Sequence, residues 1–383
     1  MLKTFAVANY RSLRDVKLAL NPLTVVTGAN GCGKSNLYRA LRLLAQAADG
    51  RLAEALALEG GIASVQWAGP ADIRQQVRRG GTIHGTARRP PLRVRFGFAA
   101  DDVAYEIEVG LPTPSLSRFA FDPEIKTETI WQRPPRRASN TWLERDGALV
   151  RVREAGSGWS RLGFAPAANR SVLAELGEPE RFPELFALRE RLRNWRFYDG
   201  FRTDAESPLR QPRLSVQTGV LAHDGRDLAA ALQTIIEIGD AAALQAAVED
   251  AFPGSTLRIL DGGDARLQVG LEVEGLLRPL GAAELSDGSL RYLCLLAALM
   301  SPRPPELLVL NEPEQSLHPD LLRPLARQIV SAARRGQIWV ISHARALVDA
   351  LEDGGGEPAI ELAREFGETR IVGQRLLDEP VWP

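Results

Sequence analysis

An apolar run, Leu23-Thr-Val-Val-Thr27, passes directly into Gly28-Ala-Asn-Gly-Cys-Gly-Lys-Ser35, and a helix-spaced pattern follows at once. The run has the nearly continuous apolar character of a strand buried on both faces, as in a parallel sheet. Leu37, Ala40, Leu41, Leu44 and Ala48 mark one helix face, and Asp49-Gly50 supplies a stop. Strand, glycine-rich turn and helix in that order form a phosphate cradle. The glycines let backbone N–H groups curl around phosphates, and the helix N-terminus adds partial positive charge. Asn30, Gly31, Gly33, Lys34, Ser35 and Asn36 are the candidate nucleotide contacts: Lys34 would bridge the β- and γ-phosphates of ATP, and the Ser35 hydroxyl would hold Mg²⁺. Cys32 sits inside the turn, where a helix N-terminus can lower a thiol pKa. A small loop filler is the favoured reading over a redox group.

The last third alternates strand, helix and strand over 306–311, 319–335 and 337–342, which also argues for a parallel sheet. Leu307-Leu-Val-Leu310 ends in Asn311-Glu312, and Ile338 to Ile341 ends in Ser342-His343. A carboxylate at the carboxyl end of such a strand can deprotonate an attacking water, which makes Glu312 the candidate general base. His343, arriving at the same edge, can contact the γ-phosphate and that water.

Composition narrows the class. In 383 residues, 45% are hydrophobic and 25% charged, as in a globular chain with a sizeable core. The net charge of −1 gives no overall bias toward nucleic acid or membrane. Two cysteines, Cys32 and Cys294, build no disulfide framework and fit a reducing cytosol. The first residues are too short and too alternating for a signal peptide, and Tyr292 to Met300 is about half a membrane span. The expectation is a cytoplasmic protein without a membrane partner.

Between these ends the pattern changes to antiparallel strands. Val94, Phe96 and Phe98 alternate with Arg93 and Arg95, while Tyr105, Ile107 and Val109 alternate with Glu106 and Glu108. Asp146-Gly147 signals a hairpin. Helical spacing returns at Leu185, Leu188 and Leu192, and again from Leu228 to Ile236. From Asp72 to Asp101 no acidic residue intervenes among seven arginines, including Arg78, Arg79, Arg88, Arg89, Arg93 and Arg95. A further run spans Arg133 to Arg161. Such stretches could track a DNA backbone. With only four lysines, arginine is this chain's default base, so a solvated face is an equal reading.

Taken with Leu285-Ser-Asp-Gly-Ser289, these blocks resemble the ATP-binding cassette ATPases, in particular the RecF- and SMC-like branch and its stand-alone AAA-family relatives. Leu285 to Ser289 looks like the signature loop. Asn311-Glu-Pro-Glu314 with Ser316-Leu-His-Pro319 looks like the extended Walker B and D-loop, and Ser342-His343 like the switch histidine. Asn9-Tyr-Arg-Ser12 resembles the segment ahead of the phosphate loop, which makes Arg11 a further nucleotide contact. The resemblance implies an α/β P-loop fold of ABC-ATPase head type, with a mixed or parallel core sheet, an antiparallel β subdomain and a helical signature-bearing region. It implies lobe I over 1–195 and lobe II over 196–383. It also implies a homodimer in which Ser286 and Gly288 of one copy close on ATP held by the other. Asn311 departs from the usual Asp, keeping an acceptor oxygen for Mg²⁺ but no charge, so slow hydrolysis is expected.

Three roles follow. The first is an ATPase acting on DNA in repair, chromosome maintenance or phage defence. The second is an ATP-gated or toxin–antitoxin-like switch controlling an effector protein. A transporter motor subunit ranks last, given the Asp-Gly signature and the β-rich insertion. Long heptad arms are absent between Lys34 and Ser286, and fewer than 45 residues follow His343, too few for an appended nuclease.

Overall fold

The computed structural model describes residues 1–69, 93–113, 116–119, 121–154, 158–374 and 380–382. The chain forms two compact units. One contains Met1–Asn21, Gly28–Asn194 and Glu361–Pro383; the other contains Pro22–Thr27 and Trp195–Ile360. The break after Asn194 lies one residue from the expected lobe boundary. The units are nevertheless not contiguous in sequence, because residues 22–27 belong with the second and the tail belongs with the first.

Strands β1 (Leu2–Tyr10) and β2 (Leu13–Ala19) form a tight antiparallel hairpin. Arg11 turns it in the left-handed region at φ 50°. β3 (Leu23–Gly28) leads through the glycine-rich turn to the helix Lys34–Ala47. Its predicted apolar face, with Leu37, Ala40, Leu41 and Leu44, is buried. Six further strands follow in the first unit: β4 (Val94–Ala100), β5 (Val103–Gly110), β6 (Glu124–Gln132), β7 (Thr141–Asp146), β8 (Leu149–Glu154) and β9 (Gly158–Arg161). They join the first hairpin in one antiparallel sheet ordered β2-β1-β4-β5-β6-β7-β8-β9. Period-two apolar residues bury one face. Tyr10 tilts against Phe96 at 5.7 Å, and Phe98 meets Tyr105 edge-on at 6.1 Å.

The intervening charges on β4 and β5 pair across the strands, Arg93 with Glu108 at 3.0 Å and Arg95 with Glu106 at 2.5 Å. That face is therefore less open than simple alternation suggests. Farther along the sheet, fully buried Glu128 accepts hydrogen bonds from the Tyr105 hydroxyl (2.9 Å), the Val172 N–H (2.9 Å) and the Ser171 hydroxyl. Arg145, also buried, lies 3.8 Å from Glu128 and donates to the carbonyls of Gly147, Arg170 and Ala167. This network ties the segment from Ala167 to Val172 down onto β6 and β7.

The second unit holds β10 (Arg196–Tyr198), β11 (Arg213–Leu214), β12 (Ser255–Asp261), β13 (Arg266–Val273), β14 (Leu280–Gly281), β15 (Leu307–Asn311) and β16 (Gln337–Ile341). Its core sheet is parallel, with β10 on β15, β15 on β16, and β16 on β3. β11, β12, β13 and β14 form a separate antiparallel sheet. Helices Leu228–Ile238, Ala241–Ala251, Asp287–Leu299, Leu322–Ala332 and Arg345–Asp353 supply the apolar layer, where Leu290, Leu293, Leu325 and Ile329 share one core with Leu308, Leu310 and Val340. The helix expected over 319–335 starts as a 3-10 turn at Pro319–Leu321 and ends at Ala332. The chain finishes with the hairpin β17 (Ile360–Glu365) and β18 (Glu368–Ile371). Its charged sequence carries almost no apolar periodicity.

Replacing Glu128 with Ala removes the acceptor for three donors and leaves Arg145 buried without its acid. The expected loss of stability is about 3–5 kcal/mol, measured as a lowered urea midpoint. Glu128→Ala at wild-type stability would remove the network from the list of stabilising features.

Candidate functional site

The glycine-rich turn belongs to the first unit. Gly28, Gly31 and Gly33 all have left-handed backbones, at φ 142°, 78° and 115°, which side chains rarely adopt. At Gly28 an added Cβ would stand 2.3 Å from the Leu362 carbonyl oxygen, so space as well as conformation demands glycine. Lys34 is 6% exposed, and its ammonium donates to the carbonyls of Gly28 (2.6 Å) and Ala29 (3.1 Å). Ser35 is exposed in the first turn of the helix, and the Asn36 side-chain amide donates to Ser12 Oγ at 2.8 Å. Asn30 and Gly31 are exposed on the turn, whereas the Cys32 thiol is buried among loop atoms. Burial favours the filler reading of Cys32.

Arg11 does not project freely. It forks onto Glu59 at 2.8 and 3.2 Å, and the Tyr10 hydroxyl donates to the same oxygen at 2.6 Å. Burial, then Glu59, pushes the Tyr10 hydroxyl up from its ordinary pKa. Arg78, Arg79, Arg88 and Arg89 lie outside the described residues. Arg93 and Arg95 hold the ion pairs described above, and Arg95 also stacks on Trp382 with its guanidinium carbon 3.9 Å from the ring centre.

In the second unit, parallel pairing sets Asn311 opposite Ile341 and Ile341 opposite Val26. The carboxyl ends of β15, β16 and β3 therefore share one edge, and β3 continues directly into the glycine-rich turn. Glu312 follows β15 with φ 50°, and its N–H donates to the Ile341 carbonyl at 2.7 Å. A left-handed backbone at a non-glycine residue is strained and re-aims the side chain. His343 Nδ1 lies 3.5 Å from Glu312 Oε1 and 3.4 Å from Glu314 Oε1.

Glu314 was not singled out by the sequence reading. It is buried, and its Oε1 accepts from the Ser342 hydroxyl (2.7 Å) and from the N–H groups of His343 (3.1 Å) and Ala344 (3.2 Å). One carboxylate thus pins the turn that carries His343. The sequence clue was its place in Asn311-Glu-Pro-Glu314, two residues after Glu312 across Pro313, to which no separate role was attached.

The signature segment is built on the helix Asp287–Leu299. Ser286 caps it, accepting from the Ser289 N–H at 3.0 Å. Arg210 holds the approach to the cap, donating to the Leu285 carbonyl at 2.8 Å and to Asp287 at 2.6 Å. A Cβ at Gly288 would meet the Ser316 carbonyl at 3.0 Å, so glycine lets the segment after β15 lie close. Arg291, one turn on, donates to the Gln315 carbonyl at 3.0 Å. Ser286, Gly288, Gln315 and Ser316 thus lie together in the second unit.

Residues 23–349 match the family described as "AAA domain, putative AbiEii toxin, Type IV TA system". The chain belongs to this family. The AAA-domain chain also has the fold of ABC/SMC-like ATPases: it is similar to an SMC head crystallised with the C-terminal winged-helix domain of ScpA, with a TM-score of 0.51, 12% identity and 98% coverage of both chains. A stretch of 44 residues is 48% identical to the "OLD nuclease" of Thermus scotoductus, covering 12% of this chain and 8% of that relative. Among the described residues, no helix is long and apolar enough to cross a membrane.

Such P-loop ATPases bind nucleotide and typically Mg²⁺. Among the described residues no group of three or more His, Cys, Asp or Glu could hold a metal. Mg²⁺ needs no such cage, because substrate phosphates and waters fill most of its shell. The Ser35 hydroxyl is exposed, and Asn311 Oδ1 is buried without a hydrogen-bond partner.

Glu314→Ala should leave the Ser342 hydroxyl proton and the His343 N–H unpaired, at roughly 1–3 kcal/mol each when buried, while the Ala344 N–H keeps Ser342 Oγ at 3.1 Å. ATP turnover should fall at least about tenfold as His343 loses its mooring. Phosphate release and the unfolding midpoint measure the two effects, and Glu314→Gln, which keeps an acceptor oxygen, should recover part of each.

Proposed function

We propose that this AAA-domain chain binds Mg²⁺-ATP, hydrolyses it slowly, and dimerises while it is bound. The observation that carries the reading is the shared edge of β3, β16 and β15, from which the glycine-rich turn, His343 and Asn311-Glu312 all depart. The backbone amides of the turn and Lys34 would grip the phosphates, with Asn30, Gly31, Gly33 and Asn36 completing the cradle. Ser35 and Asn311 would hold the Mg²⁺, whose chemistry is to draw charge from the phosphoryl oxygens. Glu312 would take a proton from the attacking water, its carboxylate lying near His343 Nδ1 at 3.5 Å. His343, moored by Glu314, would sense the γ-phosphate. Asn311 supplies no negative charge, which supports slow turnover.

Ser286 and Gly288, at the start of a capped thirteen-residue helix, would face the nucleotide of a second copy. The Arg11–Glu59 pair argues for an indirect role of Arg11, steadying the segment ahead of the turn rather than touching nucleotide.

Two outputs of the cycle have support. Action on DNA is supported by Trp159 on β9, the last strand of the sheet, flanked by Arg151 and Arg153 at 5.3 and 5.0 Å from its ring. Control of an effector protein is supported by the pairing of Arg93 and Arg95 with acids, which takes them out of any free basic track, and by the toxin–antitoxin description of the family.

Glu312→Gln should retain ATP binding while hydrolysis falls on the order of a hundredfold or more. Light scattering should show its mass doubling when ATP is added, and a monomer at saturating ATP would sink the sandwich. DNA binding that weakens steeply with salt and strengthens with ATP supports the first output. Absence of binding at low salt removes it and leaves the effector.

A further inference from the structure

We propose that Thr369 and Ser12 are positioning residues for the phosphate loop, acting through the Cys32–Gly33 peptide; this rests on the nucleotide reading above. Four groups from three separate segments form one directed hydrogen-bond chain inside the first unit. Asn36 Nδ2 donates to Ser12 Oγ at 2.8 Å, Ser12 and Thr369 hydroxyls meet at 2.7 Å, and Thr369 Oγ1 donates to the Cys32 carbonyl at 2.7 Å. A threonine hydroxyl has a single proton. Because that proton goes to Cys32, Ser12 must donate to Thr369, and Ser12 is left to accept from Asn36. Every group in the chain has a partner, the condition under which a polar network rigidifies its surroundings.

The consequence falls on the loop amides. A trans peptide is planar, so its C=O and N–H point in opposite directions. Holding the Cys32 carbonyl toward Thr369 turns the Gly33 N–H away from Thr369, and that amide is one of those the loop offers to phosphate. The fit is close: a Cβ on Gly33 would stand 2.1 Å from Thr369 Oγ1 and 3.0 Å from Ser12 Oγ. Thr369 is itself well fixed. It is 4% exposed, its N–H donates to the Ser12 carbonyl at 2.8 Å, and its neighbour Glu368 is paired with Arg14 at 3.3 Å and with Arg370. The same hairpin brings the Leu362 carbonyl against Gly28 at the start of the turn. β17 and β18 thus brace the loop at both ends, and Asn36 is bound into the brace.

The test uses the full chain, Mg²⁺ and a fluorescent ATP analogue, with ATP turnover measured in parallel. Thr369→Val keeps the branched shape but strands the Cys32 carbonyl and the Ser12 hydroxyl, so Kd and KM should rise roughly tenfold. Turnover at saturating ATP should change much less, since the loop grips ground and transition states alike. Thr369→Ser should stay within about threefold of wild type, because it restores the hydroxyl. Ser12→Ala should weaken binding in the same direction, and Ser12→Ala with Thr369→Val should be no worse than the larger single effect. That non-additivity and the serine rescue separate positioning from general loss of packing. If wild type binds nucleotide and Thr369→Val binds equally well, or if Thr369→Ser is as impaired as Thr369→Val, the inference is overturned. If wild type binds no nucleotide, the functional reading fails first and this inference goes with it.

Discussion

Parallel hydrogen bonding among β3, β16 and β15 is the constraint on which the rest depends. A parallel ladder fixes not only which strands are neighbours but where each one stops. Here the register aligns Asn311, Ile341 and Val26, so three chain segments far apart in sequence leave the sheet on one edge. Chemistry at such an edge is a general property of open α/β sheets, because the loops there are free to carry side chains while the strands hold them still. The left-handed backbone at Glu312 is the local cost of turning the chain away from β15 while keeping its N–H bonded to Ile341.

Around this frame the segments named as candidate site residues are held by buried and half-buried polar groups. Glu314 holds the turn at His343, Arg210 holds the approach to Ser286, and Thr369 holds the Cys32 carbonyl. Each is a long-range hydrogen bond onto main-chain atoms, which fixes backbone direction more firmly than apolar packing can. A site that holds phosphate through backbone amides would benefit from that rigidity, because a sub-ångström displacement of an amide already changes its hydrogen bond.

The elements that could be read from the sequence are those whose physics is local. The glycine-rich turn was legible because strand, turn and helix are consecutive and the helix face repeats at 3.6 residues. The apolar strands Leu307–Asn311 and Gln337–Ile341 and the helix Leu228–Ile238 were legible because their apolar spacing is also local. The closing hairpin Ile360–Ile371 escaped, since its charged sequence carries little periodicity and its role depends on residues more than 300 positions away. Arg11, Arg93 and Arg95 read as available bases in sequence, yet each has an acid partner that only folding could bring within reach.

The sequence by itself determined the glycine-rich turn, the apolar strands that flank it and the chemical types placed at their ends, because these follow from residue identity and nearest-neighbour spacing. Tertiary structure alone decided which of those side chains are free and which are claimed: Glu314 as the mooring of His343, Thr369 and Ser12 beneath the loop, Glu59 on Arg11. It also decided that the two units interleave along the chain. The reason is that a hydrogen bond or ion pair depends on distances of about 3 Å, and for partners hundreds of residues apart only the folded sheet sets that distance.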